Sequence, residues 1–224
     1  MRTKTLLITA ALTAAGALTS MAQVYSVNIV GYINLAVPAG FSIIANQLNN
    51  SPDNLVTTIL ASGVPDSTTV YKFDATTAGY AINTFTEGVG WDGNDLLMTM
   101  NPGEGVFINA PSAFTATFVG EVKLVSDNRI YHGYSIMSST IPQSGAIDTD
   151  LKWAPIDSDT VFQFNNATRG YIINTYTDGV GWDGNSGGLA PNLKVGEGFF
   201  VNSPSTSLTR KWHRCFNVDG TDCP

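Results

Sequence analysis

Two glutamates stand in matching settings, Glu104 in PGEG and Glu197 in VGEG, each directly ahead of an apolar run, GVFIN and GFFVN. A pair of carboxylates is what acid and base catalysis of glycoside cleavage requires. That chemistry needs its two members in unlike environments. Residues repeated by an internal duplication are instead expected to serve equivalent local roles, most simply a hydrogen bond that closes a turn. A nucleophile needs a neighbouring base, and the chain offers only His132 and His213, neither within a G-x-S-x-G elbow. The glycines punctuate runs of β-forming residues and open no helix, so no phosphate-binding loop and no dinucleotide fingerprint is found. No residue is assigned a catalytic role, no cofactor is expected, and the chain reads as a non-enzyme.

The heptapeptide GVGWDGN occurs twice, at 88–94 and 179–185. Trp91, Asp92 and Asn94 in the first copy, with Trp182, Asp183 and Asn185 in the second, are the candidate ligand-binding residues. An exposed indole offers a flat apolar face and an N–H donor, which suits a sugar ring or another planar ligand. On the other reading the glycines supply positive φ in a turn and the indole folds back over the sheet edge. Glu87, Asp92, Asp95, Asp178 and Asp183 are calcium candidates, since they bring oxygen donors at close spacing. A calcium site needs about six to eight oxygens, and Asp beside Gly is ordinary turn chemistry, so no metal site is assigned.

These motifs belong to a longer duplication. Residues 70–94 return as 161–185 at an offset of 91, with 16 of 25 positions identical. So long a period implies two whole units and not a solenoid of short repeats. Gly40 matches Gly133 and Gly103 matches Gly196 at an offset of 93, so the length changes fall between blocks, as surface loops allow.

Ahead of the units, Arg2 and Lys4 precede an apolar run over 6–18 and then Ser20 and Ala22, the pattern of a secretory signal peptide at 1–22. The division expected is 1–22 signal, 23–118 first β unit and 119–224 second β unit, with no membrane span once the signal is cleaved. The formal charge moves from −7 to −9 without Arg2 and Lys4, which disfavours nucleic acid and anionic membranes as partners. The basic cluster Arg210, Lys211, His213 and Arg214 reads as a solvated strand face, with Trp212, Phe216 and Val218 on the other. Cys215 and Cys223, eight positions apart in an exported chain, are expected to form a local disulfide.

Short runs rich in Val, Ile, Tyr, Phe and Thr alternate with Gly, Pro, Asn and Asp. They predict strands over 27–35, 41–46, 70–74, 80–84, 105–109 and 114–122 in the first unit. In the second they predict 119–125, 134–138, 161–164, 171–175, 198–202 and 208–218. A helix is predicted from Ser51, Pro52 and Asp53 to a stop at Gly63, with Leu55, Val56, Ile59 and Leu60 on one face, and a drifted equivalent over 146–153. The fold expected is all-β: two tandem homologous β-sandwich or partly closed β-barrel units, each with a short helix.

The series GFSIIANQLN, VYKFD and PGEGVFINAP resembles a β-rich module of secreted and cell-surface proteins of environmental bacteria. The opening VYSVNIVGYINL resembles the start of an exported family carrying that module in duplicate. The resemblance implies an extracellular, cell-surface or periplasmic protein and no fixed reaction. The function expected is structural or adhesive, with extracellular polysaccharide or other envelope proteins as partners and with self-association open at unblunted strand edges. The alternative is a carbohydrate-binding module with two equivalent sites at the GVGWDGN loops.

Overall fold

The computed structural model of the chain describes residues 29–217. The signal segment 1–22 and Cys223 lie outside them. Side-chain alternation along the strands decides the layers. In β1 (Val30–Val37) Ile33, Leu35 and Val37 turn inward while Tyr32 and Asn34 face out. This strand pairs antiparallel with β7 (Phe114–Glu121) along its whole length, Val30 opposite Glu121 and Val37 opposite Phe114. The ribbon covers one face of a five-stranded antiparallel sheet. Its members are β2 (Gly40–Ile44), β3 (Thr69–Asp74), β4 (Gly79–Thr86), β5 (Gly90–Gly93) and β6 (Val106–Ala110), ordered β2-β6-β3-β4-β5. Val37, Ala116 and Phe118 from the ribbon and Val70, Val106 and Ile108 from the sheet meet in one buried core.

The second unit repeats the plan. A ribbon of β8 (Val125–Arg129) and β16 (Lys211–Cys215) lies with a sheet of β9 (Gly133–Met137), β11 (Thr160–Asn165), β12 (Gly170–Thr177), β13 (Gly181–Gly184) and β15 (Phe199–Ser203), ordered β13-β12-β11-β15-β9. A two-residue pair, β10 (Gly145–Ala146) with β14 (Asn192–Leu193), is added at its side. Ile130, Val161, Phe199, Val201, Trp153 and Trp212 fill this core. The described residues are therefore all-β, with two similar units and no closed barrel among them.

Four details differ from the expectations. The apolar run after Phe118 continues β7 as far as Glu121, and the second unit starts its own pairing at Val125, so the expected division at 118/119 falls inside a strand that belongs with β1 throughout. The segment GWDG, read as loop, forms a strand in each unit, because the glycines let the backbone return against β4 and β12. A Cβ on Gly93 would lie 2.2 Å from the Ile82 carbonyl oxygen. The expected helix from Ser51 contracts to α1 (Val56–Ile59). Asp53 accepts the Leu55 N–H at 3.1 Å, and Asn54 bonds to Asn46, Asn49 and Asn101, which holds the preceding chain off the helical path. The counterpart over 146–153 is no helix: Asp150 Oδ2 takes the Ala146 N–H, and a tight turn then buries Ile147, Leu151 and Trp153.

No helix among the described residues is long and apolar enough to cross a membrane.

Candidate functional site

The repeated glycine–glutamate–glycine turns sit where the two units meet, and their contacts are reciprocal. Ser138 N–H donates to the Gly103 carbonyl at 3.0 Å, and the counterpart Ala45 N–H donates to the Gly196 carbonyl at 2.9 Å. Glu104 bridges to Met137 as Glu197 bridges to Ile44. Such an exchange of equivalent contacts is what a two-fold relation produces. It also explains the glycines. A Cβ on Gly105 would lie 2.7 Å from Ile136 Cγ2 and 3.3 Å from the Gly198 Cα, and one on Gly198 would meet Ile43 Cγ2 at 2.7 Å.

The two carboxylates do not share an environment. Glu104 accepts from Asn101 N–H at 2.8 Å and Thr99 Oγ1 at 2.9 Å and pairs with Lys72 Nζ at 2.9 Å. Burial pushes its carboxyl up, but the Lys72 charge and these hydrogen bonds together hold it below the usual glutamate range. Glu197 accepts from Gln163 Nε2 and Lys194 N–H, both at 2.8 Å. Gln163 is the counterpart of Lys72, and without that cation burial prevails and raises the Glu197 carboxyl. The expected role, a hydrogen bond that closes the turn, is made by both glutamates. The turn hydrogen bond is common to both, whereas the charge environment is not.

Each glutamate borders a cleft. The first, about 420 Å³, is lined by Lys72, Asp74, Asp95, Glu104 and Arg129, whose guanidinium stacks 4.9 Å from the Tyr131 ring. In the second, about 540 Å³, Gln163, Asn165 and Ser186 replace Lys72, Asp74 and Asp95 beside Glu197.

The GVGWDGN residues are used for packing and turns. Trp182 is 6 % exposed and donates its indole N–H to Asp148 at 2.8 Å. Trp91 is half-buried against the core and donates to the Leu60 carbonyl at 3.0 Å. Both indoles turn toward the core, Trp182 fully and Trp91 in part, which is the packing arrangement given above for these loops. Asn94 and Asn185 accept the N–H groups of Ile82 and Ile173 with their side chains and so extend the ladder. Asp92 and Asp183 accept from the following glycine N–H. Asp95 accepts the Leu97 N–H in its own turn. The backbone N–H groups of Glu87 and Asp178 are held by Asp66 and Asp157. Among the described residues no group of three or more His, Cys, Asp or Glu side chains is placed to hold a metal ion.

The basic stretch at the end is dispersed. Arg210 pairs with the fully buried Asp159, Lys211 and His213 both bond Asp127, and Arg214 lies buried beside Trp212, not on a solvated face. Cys215, a disulfide cysteine, ends β16.

What the sequence reading missed is an aromatic surface on the sheet faces opposite the ribbons. Period-2 alternation places Tyr71 and Phe73 on that face of β3 and Phe162 and Phe164 on the same face of β11, a signal present in VYKFD and VFQFN. Ile43, Ile136 and Phe200 form the buried centre of the joint, ringed by Phe73, Phe107, Phe162 and Phe164. Phe107 meets Phe164 edge-on at 5.4 Å, and Phe73 meets Phe200 at 5.5 Å. The tyrosines lie outside this centre: Tyr80 is 43 %, Tyr134 50 % and Tyr171 40 % exposed. Burial of their rings raises the Tyr80 and Tyr171 hydroxyls above the usual tyrosine value, and Tyr80 raises Tyr171 further.

Two clefts open on this surface. One, about 200 Å³, is lined by Phe41, Tyr71, Tyr80 and Phe107. The other, about 520 Å³, contains the four counterparts Tyr134, Phe162, Tyr171 and Phe200, together with Phe73 and Tyr80. They are equivalent by duplication, and they share Tyr80. In comparisons with known proteins the chain matches no protein family, no curated protein and no solved structure.

Proposed function

We propose that the chain is an exported, non-enzymatic β-repeat protein with a structural or adhesive role at the cell envelope or outside the cell, and that it attaches through the aromatic surface at the joint of its units. The observation that carries this reading is the contiguous aromatic surface. Exposed apolar patches of this kind mark interaction sites, and rigid tyrosines give large contact area at low entropic cost. The signal-like N-terminus and the acid balance of the chain support export and solubility outside the cell. Catalysis has less support. The two glutamates differ in charge environment, but each closes its own turn and borders its own cleft, with no shared substrate position between them.

The test has two arms. Exported protein is expected to bind washed cell envelopes, and the Tyr80→Ala/Tyr134→Ala/Tyr171→Ala variant is expected to lose most of that binding while keeping its unfolding midpoint. Hydrolytic activity on polysaccharide, abolished by Glu104→Gln or Glu197→Gln, would overturn the reading.

A further inference from the structure

The chemistry of the aromatic surface narrows its ligand. No acidic, basic or amide side chain lines either aromatic cleft. A charged ligand would lose its hydration there without gaining a partner, at a cost that disfavours binding. A purely apolar partner fits no better. The hydroxyls of Tyr80, Tyr134 and Tyr171 make no hydrogen bond to other described residues, and a dry contact would cover polar groups and leave them unanswered. The complementary ligand is neutral, has flat C–H faces to set against the electron-rich ring faces, and carries hydroxyls at its edges. A pyranose ring has all three properties. Because one cleft is the duplicate of the other and Tyr80 belongs to both, the surface presents the same recognition element twice in succession. That arrangement suits a repeating polymer and gains from bivalency.

Building on the adhesive reading above, we propose that the two aromatic clefts form one binding face for a neutral polysaccharide, with successive sugar rings stacked on Phe41 and Tyr80 in one cleft and on Tyr171 and Tyr134 in the other. The two polar clefts beside Glu104 and Glu197 take no part in it.

The experiment is native affinity electrophoresis of the exported protein through gels containing hydroxyethylcellulose, galactomannan or dextran, with carboxymethylcellulose as the anionic counterpart. Retardation is expected with at least one neutral polymer and is weaker with the anionic one. Tyr80→Ala, which touches both clefts, is expected to weaken it by about fivefold or more, Tyr134→Ala less, and Tyr80→Phe least, because the ring carries most of the stacking. Far-ultraviolet circular dichroism and unfolding midpoints of each variant verify the fold. Retardation that Tyr80→Ala leaves unchanged overturns the proposal, and so does the absence of retardation in every neutral gel. In the latter case, a concentration-dependent dimer in sedimentation velocity that Tyr80→Ala dissolves would assign the face to a second copy of the chain. Envelope binding that survives without polysaccharide binding would remove this inference alone and leave the adhesive reading in place.

Discussion

Glu104 and Glu197 occupy the same turn of the same fold, yet one carboxyl is held below its ordinary value and the other is raised. The backbone around them is common: each turn crosses to the other unit through equivalent hydrogen bonds, and each is followed by a glycine that has no room for a side chain. The chief difference is Lys72 against Gln163, with the Thr99 hydroxyl donating to Glu104 as well. The comparison teaches that the duplication preserved what the joint needs geometrically and left the electrostatics free to diverge. The cores diverged as well. Where the first unit packs Leu60 and Phe118, the second sets Trp153 against Trp212 with centroids 5.1 Å apart and adds the buried Arg210–Asp159 pair.

The largest expected effect separates the two indoles. Trp182→Ala should cost about 3–5 kcal/mol, as for a large buried ring replaced by a small side chain, and Trp91→Ala clearly less, since Trp91 is only half-buried. Denaturant unfolding of both variants checks this. Equal losses would mean that the two hairpins had not diverged, and a negligible loss for Trp182→Ala would contradict its place in the core.

Next in size is the joint. Gly105→Ala and Gly198→Ala should each destabilise by about 1–3 kcal/mol through overpacking, and by similar amounts if the contact is as reciprocal as the geometry indicates. The two new methyl groups would face one another, because each Cβ lies 3.3 Å from the other glycine's Cα. The double variant should therefore lose more than the sum of the single variants. Strict additivity would show that the turns do not touch.

The smallest effects concern the charges. Lys72→Gln, which gives Glu104 the side chain that Glu197 has beside it, should lower stability at neutral pH by about 1 kcal/mol or less, since the pair is partly solvated. Gln163→Lys should raise it by a smaller amount. Their pH dependence has opposite signs. The carboxyl of Glu104 is lowered in the folded chain, so its contribution is present above the ordinary glutamate value of about 4.3 and is lost as pH falls through the lowered one. The carboxyl of Glu197 is raised, so its contribution is present below that ordinary value and is lost as pH rises through the raised one. Carboxyl-carbon magnetic resonance titrations should therefore place Glu197 above Glu104, with Lys72→Gln bringing Glu104 up and Gln163→Lys bringing Glu197 down. Titrations that leave the order unchanged in both variants would show that Lys72 is not the cause of the difference.

Several of these features were legible in the residues alone. The repeat at an offset of 91, the turn glycines and the β-forming runs determined an all-β chain of two similar units, because strand propensity, turn chemistry and period-2 alternation are local properties. The core and joint positions of Val70 and Phe73 follow from the same alternation. Pairing partners were not legible. That β7 closes on β1 and β16 on β8 depends on contacts far apart in sequence. Nor could the local pattern of Ser51, Pro52 and Asp53 show that a network of asparagines shortens the helix to four residues. The GVGWDGN tryptophans stood out by their neighbours and proved to point inward, whereas Tyr80, Tyr134 and Tyr171 looked like ordinary strand residues and proved to be exposed. Composition and spacing determine which side chains share a strand face. Only the packing of one sheet against its ribbon and against its duplicate decides which of those faces is filled and which is left open to a ligand, because burial is a property of the assembled layers and not of the strand.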